Sequence, residues 1–192
     1  DGFRSQPADG KVSVYTPTLR NGFWNIMAAN LATQTHSNLE WIIVDAQEKS
    51  RKDIADKYAK AYNLDIKYIH QPKSKRTYSL CNANNLAIEQ ARGELFVFLQ
   101  DFVLITPTAL EELLNVSRKH PGDFIAPVDS YFAPKIKPDL SNAEDWFNGE
   151  TDVVGEFMRK NVRVIGRGIR QAENVTDFEQ NFGAVPLATL KH

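Results

Sequence analysis

Apolar and polar residues along this chain follow two periods. Residues 95–99 (LFVFL) form a continuous run of strand-forming side chains, the pattern of a central strand buried on both faces. Residues 11–16 (KVSVYT) alternate and predict a first strand, ended by Pro17. Residues 40–45 (EWIIVD) and 65–69 predict a second and a third. Helical spacing fills the intervals. Phe23, Met27 and Leu31, with Trp24 and Ala28 alongside, predict a helix over 23–34, and Ile54, Tyr58 and Tyr62 predict an inward stripe on a helix over 52–62. A third helix over 79–92 is closed by Gly93 as a left-handed terminator. A fourth runs over 107–119 with Leu110, Leu113 and Leu114 inward, opened by Thr106-Pro107 as N-cap and first-turn pair. Pro121-Gly122 then turns into a strand over 123–128. Strands alternating with helices predict an α/β fold, a Rossmann-like, mainly parallel sheet with helices on both faces.

Beyond Asp129 the pattern loosens. A Pro- and Lys-containing loop (131–138), short helices over 145–157, a strand at 161–165, a polar loop (166–176) and an edge strand at 181–185 are expected. Residues 1–10 read as a loosely held arm and 11–192 as one domain, since 192 residues at 42% apolar content bury one substantial core. A net charge of −1 gives no broad footprint for nucleic acid or an anionic membrane. Basic residues gather only locally, at Lys73-Ser74-Lys75-Arg76 and Arg167-Gly168-Ile169-Arg170, which suits a small anionic ligand. The single cysteine, Cys81, excludes an intrachain disulfide and reads as a buried, inert thiol. No apolar run approaches the roughly 18 residues of a spanning helix and no signal peptide is visible, so a cytoplasmic protein is expected.

Two predicted strands end on carboxylates, Asp45 and, after Gln100, Asp101. Open α/β sheets bind ligands at the carboxyl ends of their strands. Several ligand classes fail at the first strand. The segment YTPTLRNGFW lacks the G-x-G-x-x-G of a dinucleotide fold, the G-x-x-x-x-G-K-[ST] of a P-loop and the Gly-rich, Arg-containing loop of a sugar nucleotidyltransferase. A receiver-type signalling domain needs an acidic pair where this chain has Thr16-Pro17-Thr18. Zinc has no site: His36, His70, His120 and His192 are scattered and read as surface residues.

Four ordered segments carry a resemblance. They are Val14-Tyr15-Thr16-Pro17-Thr18; Gln34-Thr35-His36-Ser37-Asn38-Leu39-Glu40-Trp41-Ile42-Ile43-Val44-Asp45, similar to "Q-T-x-x-N-x-E-[IW]-I-[IV]-V-D"; Asn85-Leu86-Ala87-Ile88-Glu89-Gln90-Ala91-Arg92-Gly93-Glu94, similar to "N-x-[GA]-I-x-x-A-x-G-E"; and Phe98-Leu99-Gln100-Asp101-Phe102, where the pattern is usually "F-L-D-x-D". Together, from about Val12 to Val128, they resemble the family-2 glycosyltransferases of the GT-A fold. That resemblance implies transfer of a sugar from a nucleotide-sugar donor, commonly UDP-linked, to an acceptor hydroxyl by an inverting mechanism. It divides the domain into a nucleotide-sugar half (11–129) and an acceptor-side half (130–192). Thr16, Pro17, Thr18 and Asp45 would hold base and ribose, Asp45 otherwise reading as a turn-former or N-cap. Lys75 and Arg76, with Lys73, would lie near the nucleotide or form a solvated basic loop. Asn82 and Asn85 open the third helix, and Asn84 stands where the family often has Arg.

The family's metal motif is altered here. Gln100 and Phe102 occupy its flanking acidic positions and leave Asp101 as the sole carboxylate, a weak site for the Mn²⁺ or Mg²⁺ that the family usually binds. Three readings stand. Gln100 and Asp101 bind the donor with metal on Asp101; or Lys75, Arg76, Arg167 or Arg170 neutralise the departing diphosphate without metal; or the chain is a catalytically inactive nucleotide-sugar-binding or assembly domain of a larger protein. The family's catalytic base usually lies beyond a "G-G-F-D-E"-like segment, and the run 180–186 resembles the strand just before it, so either the base is expected outside the chain or the chain is a truncated or minimal version. Asp177 and Glu179, then Asp129, are the nearest substitutes, each otherwise a surface carboxylate. A saccharide, lipid-linked sugar or protein acceptor fits, and nucleic acid fits less well.

Overall fold

The computed structural model describes residues 8–19, 24–72, 80–101, 103–126 and 182–191. Strand β1 (Ala8–Thr18) leads into helix α1 (Trp24–Ala32), then β2 (Leu39–Asp45), α2 (Lys52–Tyr62) and β3 (Asp65–His70). Helix α3 (Leu80–Gln90), strand β4 (Gly93–Leu99) and helix α4 (Ala109–Lys119) follow, then β5 (Phe182–Pro186) and the short α5 (Leu187–Leu190). The sheet order is β3-β2-β1-β4-β5, parallel except for β5, which runs antiparallel to β4. The expected α/β architecture with a mainly parallel sheet is therefore present.

Helices α1, α2 and α4 cover one face, closing over Val12, Val14, Trp41, Ile43, Leu95, Val97 and Leu99. Helices α3 and α5 cover the other, closing over Tyr15, Ile42, Val44, Phe96 and Phe98. Right-handed crossovers explain the split. The chain steps outward from β1 to β2 to β3 with its helices on one face. It then returns past β1 to β4, which puts α3 on the other. The reversal between β1 and β4 opens a crevice at their carboxyl ends.

The amino ends of four strands meet at Glu40, whose side chain is wholly buried. Its Oε1 accepts from Ser13 Oγ at 2.6 Å and Arg92 N–H at 2.7 Å, and its Oε2 meets the Arg92 guanidinium at 2.9 Å and Lys67 Nζ at 3.2 Å. Burial pushes the Glu40 carboxyl up, but these donors outweigh it and hold it below its ordinary range. Gly93 N–H donates to Ser13 Oγ at 2.8 Å, bringing β4 so close to β1 that a Cβ on Gly93 would lie 2.7 Å from Lys11 O, Ser13 N and Ser13 Oγ. Arg92-Gly93-Glu94 thus belongs to the end of the sheet remote from the crevice.

Several expectations are corrected. Gly93 is not a left-handed helix terminator; it opens β4, and the left-handed terminator is Asn63 after α2, at φ 52°. Pro17 does not end β1 but lies inside it opposite Val44, tolerated because β1 pairs with β4 only up to Tyr15 and is one-sided beyond. Residues 8–10, expected in the loose arm, extend β1, with Gly10 N–H donating to Glu94 at 2.8 Å. Helix α4 is preceded by Thr108, not Thr106, and Thr108 Oγ1 donates to Glu112 at 2.6 Å. Ile54 is exposed and Ala55 takes the inward position on α2, while Tyr58 and Tyr62 pack as expected. Of the strand expected over 123–128, residues 123–126 are described, and among them Ile125 makes a single bridge to Ala184 rather than a strand. Cys81 is exposed rather than buried, because Ala83 and Ala87 form the inner face of α3. The edge strand near the end is present as β5. The elements expected over 129–180, including the short helices and the strand at 161–165, lie outside the described residues.

Gly93→Ala is expected to destabilise the fold by about 3 kcal/mol in urea unfolding, since two of the three obstructing atoms are backbone and cannot step aside. Stability should also fall on acidification. The Arg118 guanidinium, helped by the Gly10 N–H and opposed by partial burial, holds the Glu94 carboxyl at about 2 against an ordinary 4.5. The folded value lies below the unfolded one, so this stabilisation is complete above pH 4.5 and is lost as pH falls toward 2. Glu94→Gln should flatten the dependence of the urea midpoint on pH within that window.

Candidate donor-binding cleft

The crevice rim is built from the carboxyl ends of β1, β2 and β4. Thr18 closes β1 and Asp101 lies two residues past β4. Both are 3% exposed, and Thr18 Oγ1 donates to Asp101 Oδ2 at 2.9 Å. This bond spans the β1/β4 reversal. Gln100 is half-buried in a turn whose carbonyl accepts from Val103 N–H at 3.0 Å. Phe102 lies outside the described residues.

Asp45 closes β2 and has no exposed surface. Arg51 Nη2 donates to its Oδ1 at 2.7 Å and Arg51 Nε to its Oδ2 at 2.9 Å, a two-pronged pair. Gln47 N–H adds 3.0 Å to Oδ1, and the Tyr68 hydroxyl 2.8 Å to Oδ2. Burial raises the Asp45 carboxyl, but the Arg51, Gln47 and Tyr68 donors outweigh it and hold it below its ordinary range. Arg51 in turn stacks on Trp24, its guanidinium carbon 4.2 Å from the ring centre. Asp45 therefore folds the 46–51 loop back onto the strand ends, and Gln47 Nε2 completes it by donating to Leu19 O.

The other candidates fall in different settings. Thr16 is fully buried, its Oγ1 accepting from Trp41 Nε1 at 2.9 Å, and Pro17 is buried beside it. Asn82 and Asn85 are exposed on α3, which starts from the same rim because β3 delivers the chain there. Lys75, Arg76, Asp177 and Glu179, with Lys73, Asp129, Arg167 and Arg170, lie outside the described residues. Among the described residues no three His, Cys, Asp or Glu side chains gather as a metal site, and no helix is long and apolar enough to cross a membrane.

Sequence reasoning missed Arg51, Tyr68 and the loop-binding side chains of α1. A buried carboxylate needs a cation, and Lys49 and Arg51 are the two that follow Asp45 before α2 begins. Asn30 on α1 and Gln34, two residues past its end, stand out as buried amides beside an otherwise apolar stripe.

The sequence profile of glycosyl transferase family 2 matches residues 17–165. The chain belongs to this family. Its fold is that of the GT-A glycosyltransferases. Over 89 residues this family-2 chain is 37% identical to EpsH of Bacillus subtilis (strain 168), provisionally named a glycosyltransferase, covering 46% of the chain and 24% of EpsH. The mannosyltransferase PcManGT from Pyrobaculum calidifontis, solved with GDP-Man and Mn²⁺, superposes with a TM-score of 0.51 at 19% identity, covering 69% of this chain and 37% of that one. S. aureus TarS (1-349), solved with UDP, superposes with a TM-score of 0.50 at 23% identity, covering 59% and 34%. The family-2 chain thus spans about a quarter of EpsH and about a third of each structure.

Arg51→Met should destabilise the fold by about 3 kcal/mol, because it strands a buried carboxylate, whereas Tyr68→Phe should cost about 1 kcal/mol. Urea unfolding of both variants at neutral pH checks the ranking.

Proposed function

We propose that this chain is the nucleotide-sugar-binding part of a glycosyltransferase that moves a hexosyl group, from a UDP-sugar foremost, to an acceptor hydroxyl with inversion. The observation that carries the reading is the Thr18–Asp101 bond across the β1/β4 reversal, which sets a buried hydroxyl and carboxylate where an open α/β sheet takes its ligand. Residues 11–129 form the donor half and 130–192 the acceptor-side half. Two proteins of this fold were solved with UDP and with GDP-Man and Mn²⁺, and the same kind of ligand is assigned to this cleft.

Asp101 fits a divalent ion that arrives with its ligand. One carboxylate, with one oxygen already tied to Thr18, cannot cage Mn²⁺ or Mg²⁺. It would hold such an ion together with oxygens of the donor's diphosphate. Such an ion, when bound, supplies positive charge beside the leaving diphosphate. In the transfer, a carboxylate base takes the proton of the acceptor hydroxyl and its oxygen attacks the anomeric carbon from the far side. The bond to the diphosphate breaks, and the nucleoside diphosphate leaves with the electron pair.

Calorimetry with UDP-, GDP- and dTDP-sugars, with Mn²⁺ and with EDTA, tests the reading on the wild type and on Asp101→Ala. One donor class should bind in Mn²⁺, and Asp101→Ala should weaken it by about tenfold or more. Binding indifferent to Mn²⁺ and to the substitution would favour a cationic clamp on the diphosphate. Absence of binding by every donor would overturn the reading.

A further inference from the structure

Helix α1 does more than cover the sheet. Asn30, fully buried, donates through Nδ2 to Ile105 O at 2.8 Å and accepts at Oδ1 from Ile105 N–H at 2.9 Å. One turn on, Gln34 donates through Nε2 to Thr106 O at 2.9 Å and accepts from Leu110 N–H at 3.3 Å. Thr35 N–H then donates to Pro107 O at 2.8 Å. An amide side chain presents a donor and an acceptor side by side, as a neighbouring strand would, so Asn30 answers both backbone groups of one residue.

The segment so held is the one that carries Asp101. It leaves the sheet at Leu99, the end of β4, turns at Gln100–Val103 and is caught again at Ile105. Asp101 sits in the short span between these anchors, and the bond from Thr18 holds its side chain from the β1 side. Without Asn30, the N–H and C=O of Ile105 would be buried and unanswered, at about 1–3 kcal/mol for each. The span would then have to move to satisfy them.

We propose that Asn30 and Gln34 are positioning residues that hold the span after β4 so that Asp101 faces the diphosphate end of the donor. The proposal rests on the reading of the cleft given above. It assigns α1 a part in metal-assisted binding that its distance along the chain from Asp101 conceals.

The experiment measures UDP and GDP binding by calorimetry in Mn²⁺ and in EDTA, on the wild type, Asn30→Ser and Gln34→Ala, with hydrogen exchange at the Ile105 amide. The wild type should bind one nucleotide more tightly in Mn²⁺. Asn30→Ser should cut that Mn²⁺ advantage by about tenfold or more while leaving affinity in EDTA within about twofold, as for residues that orient a metal ligand. Exchange at Ile105 should accelerate. Gln34→Ala should move the same ratio by less, and it carries the test if Asn30→Ser does not fold. A merely structural role would weaken binding equally in Mn²⁺ and EDTA, and that outcome overturns the proposal. So does an unchanged ratio, or a wild type whose binding ignores Mn²⁺. A wild type that binds neither nucleotide overturns the reading of the cleft itself.

Discussion

The fold turns on one buried carboxylate, Glu40. An unpaired ion at that depth would cost several kcal/mol, and every donor that relieves it comes from a different part of the sheet: Ser13 on β1, Lys67 on β3 and Arg92 at the threshold of β4. These partners converge only when β1, β2, β3 and β4 stand in one register. A slip by one residue would send Glu40 to the opposite face. The close contact at Gly93 enforces the same alignment sterically. The carboxyl ends inherit it, so that Thr18 lies opposite Asp45 and within reach of Asp101.

Much of this was legible in the sequence, for reasons specific to each segment. The run 95–99 had to be a doubly covered strand, and its burial follows from helices on both faces. Helix α2 was found to the residue because its stripe is amphipathic, although Ile54 misled about which side chain turns inward. Gly93 was misread because a glycine after a helix usually serves backbone conformation, and here it serves a close approach from another strand. Nothing local in the chain reports on a strand eighty residues away. The candidate site divides in the same way. Thr18, Asp45 and Asp101 could be picked out as polar residues at strand ends, but not which would meet which. The Arg51–Asp45 pairing and the Asn30–Ile105 bracket depend on helix placement, which periodicity does not encode.

Asp45 and Asp101 end neighbouring parts of the rim and are held by different kinds of contact. The oxygens of Asp45 are answered by Arg51, Gln47 and Tyr68, so a ligand donor reaching it must compete with an ion pair stacked on Trp24. Asp101 meets Thr18 through one oxygen. The β2 side of the cleft is thus closed by an ion pair, while the β4 side is tied to β1 through a hydroxyl.

Glu40 and Asp45 stand at opposite ends of β2, about 16 Å apart along an extended strand. Register is therefore enforced at the end of the sheet remote from the cleft, while the rim adds its own stability through the Asp45–Arg51 pair. Rim side chains outside that pair can be exchanged, altering base, sugar or ion preference, while the far end keeps the register intact. Divergence of binding in such a sheet proceeds without each step endangering the scaffold.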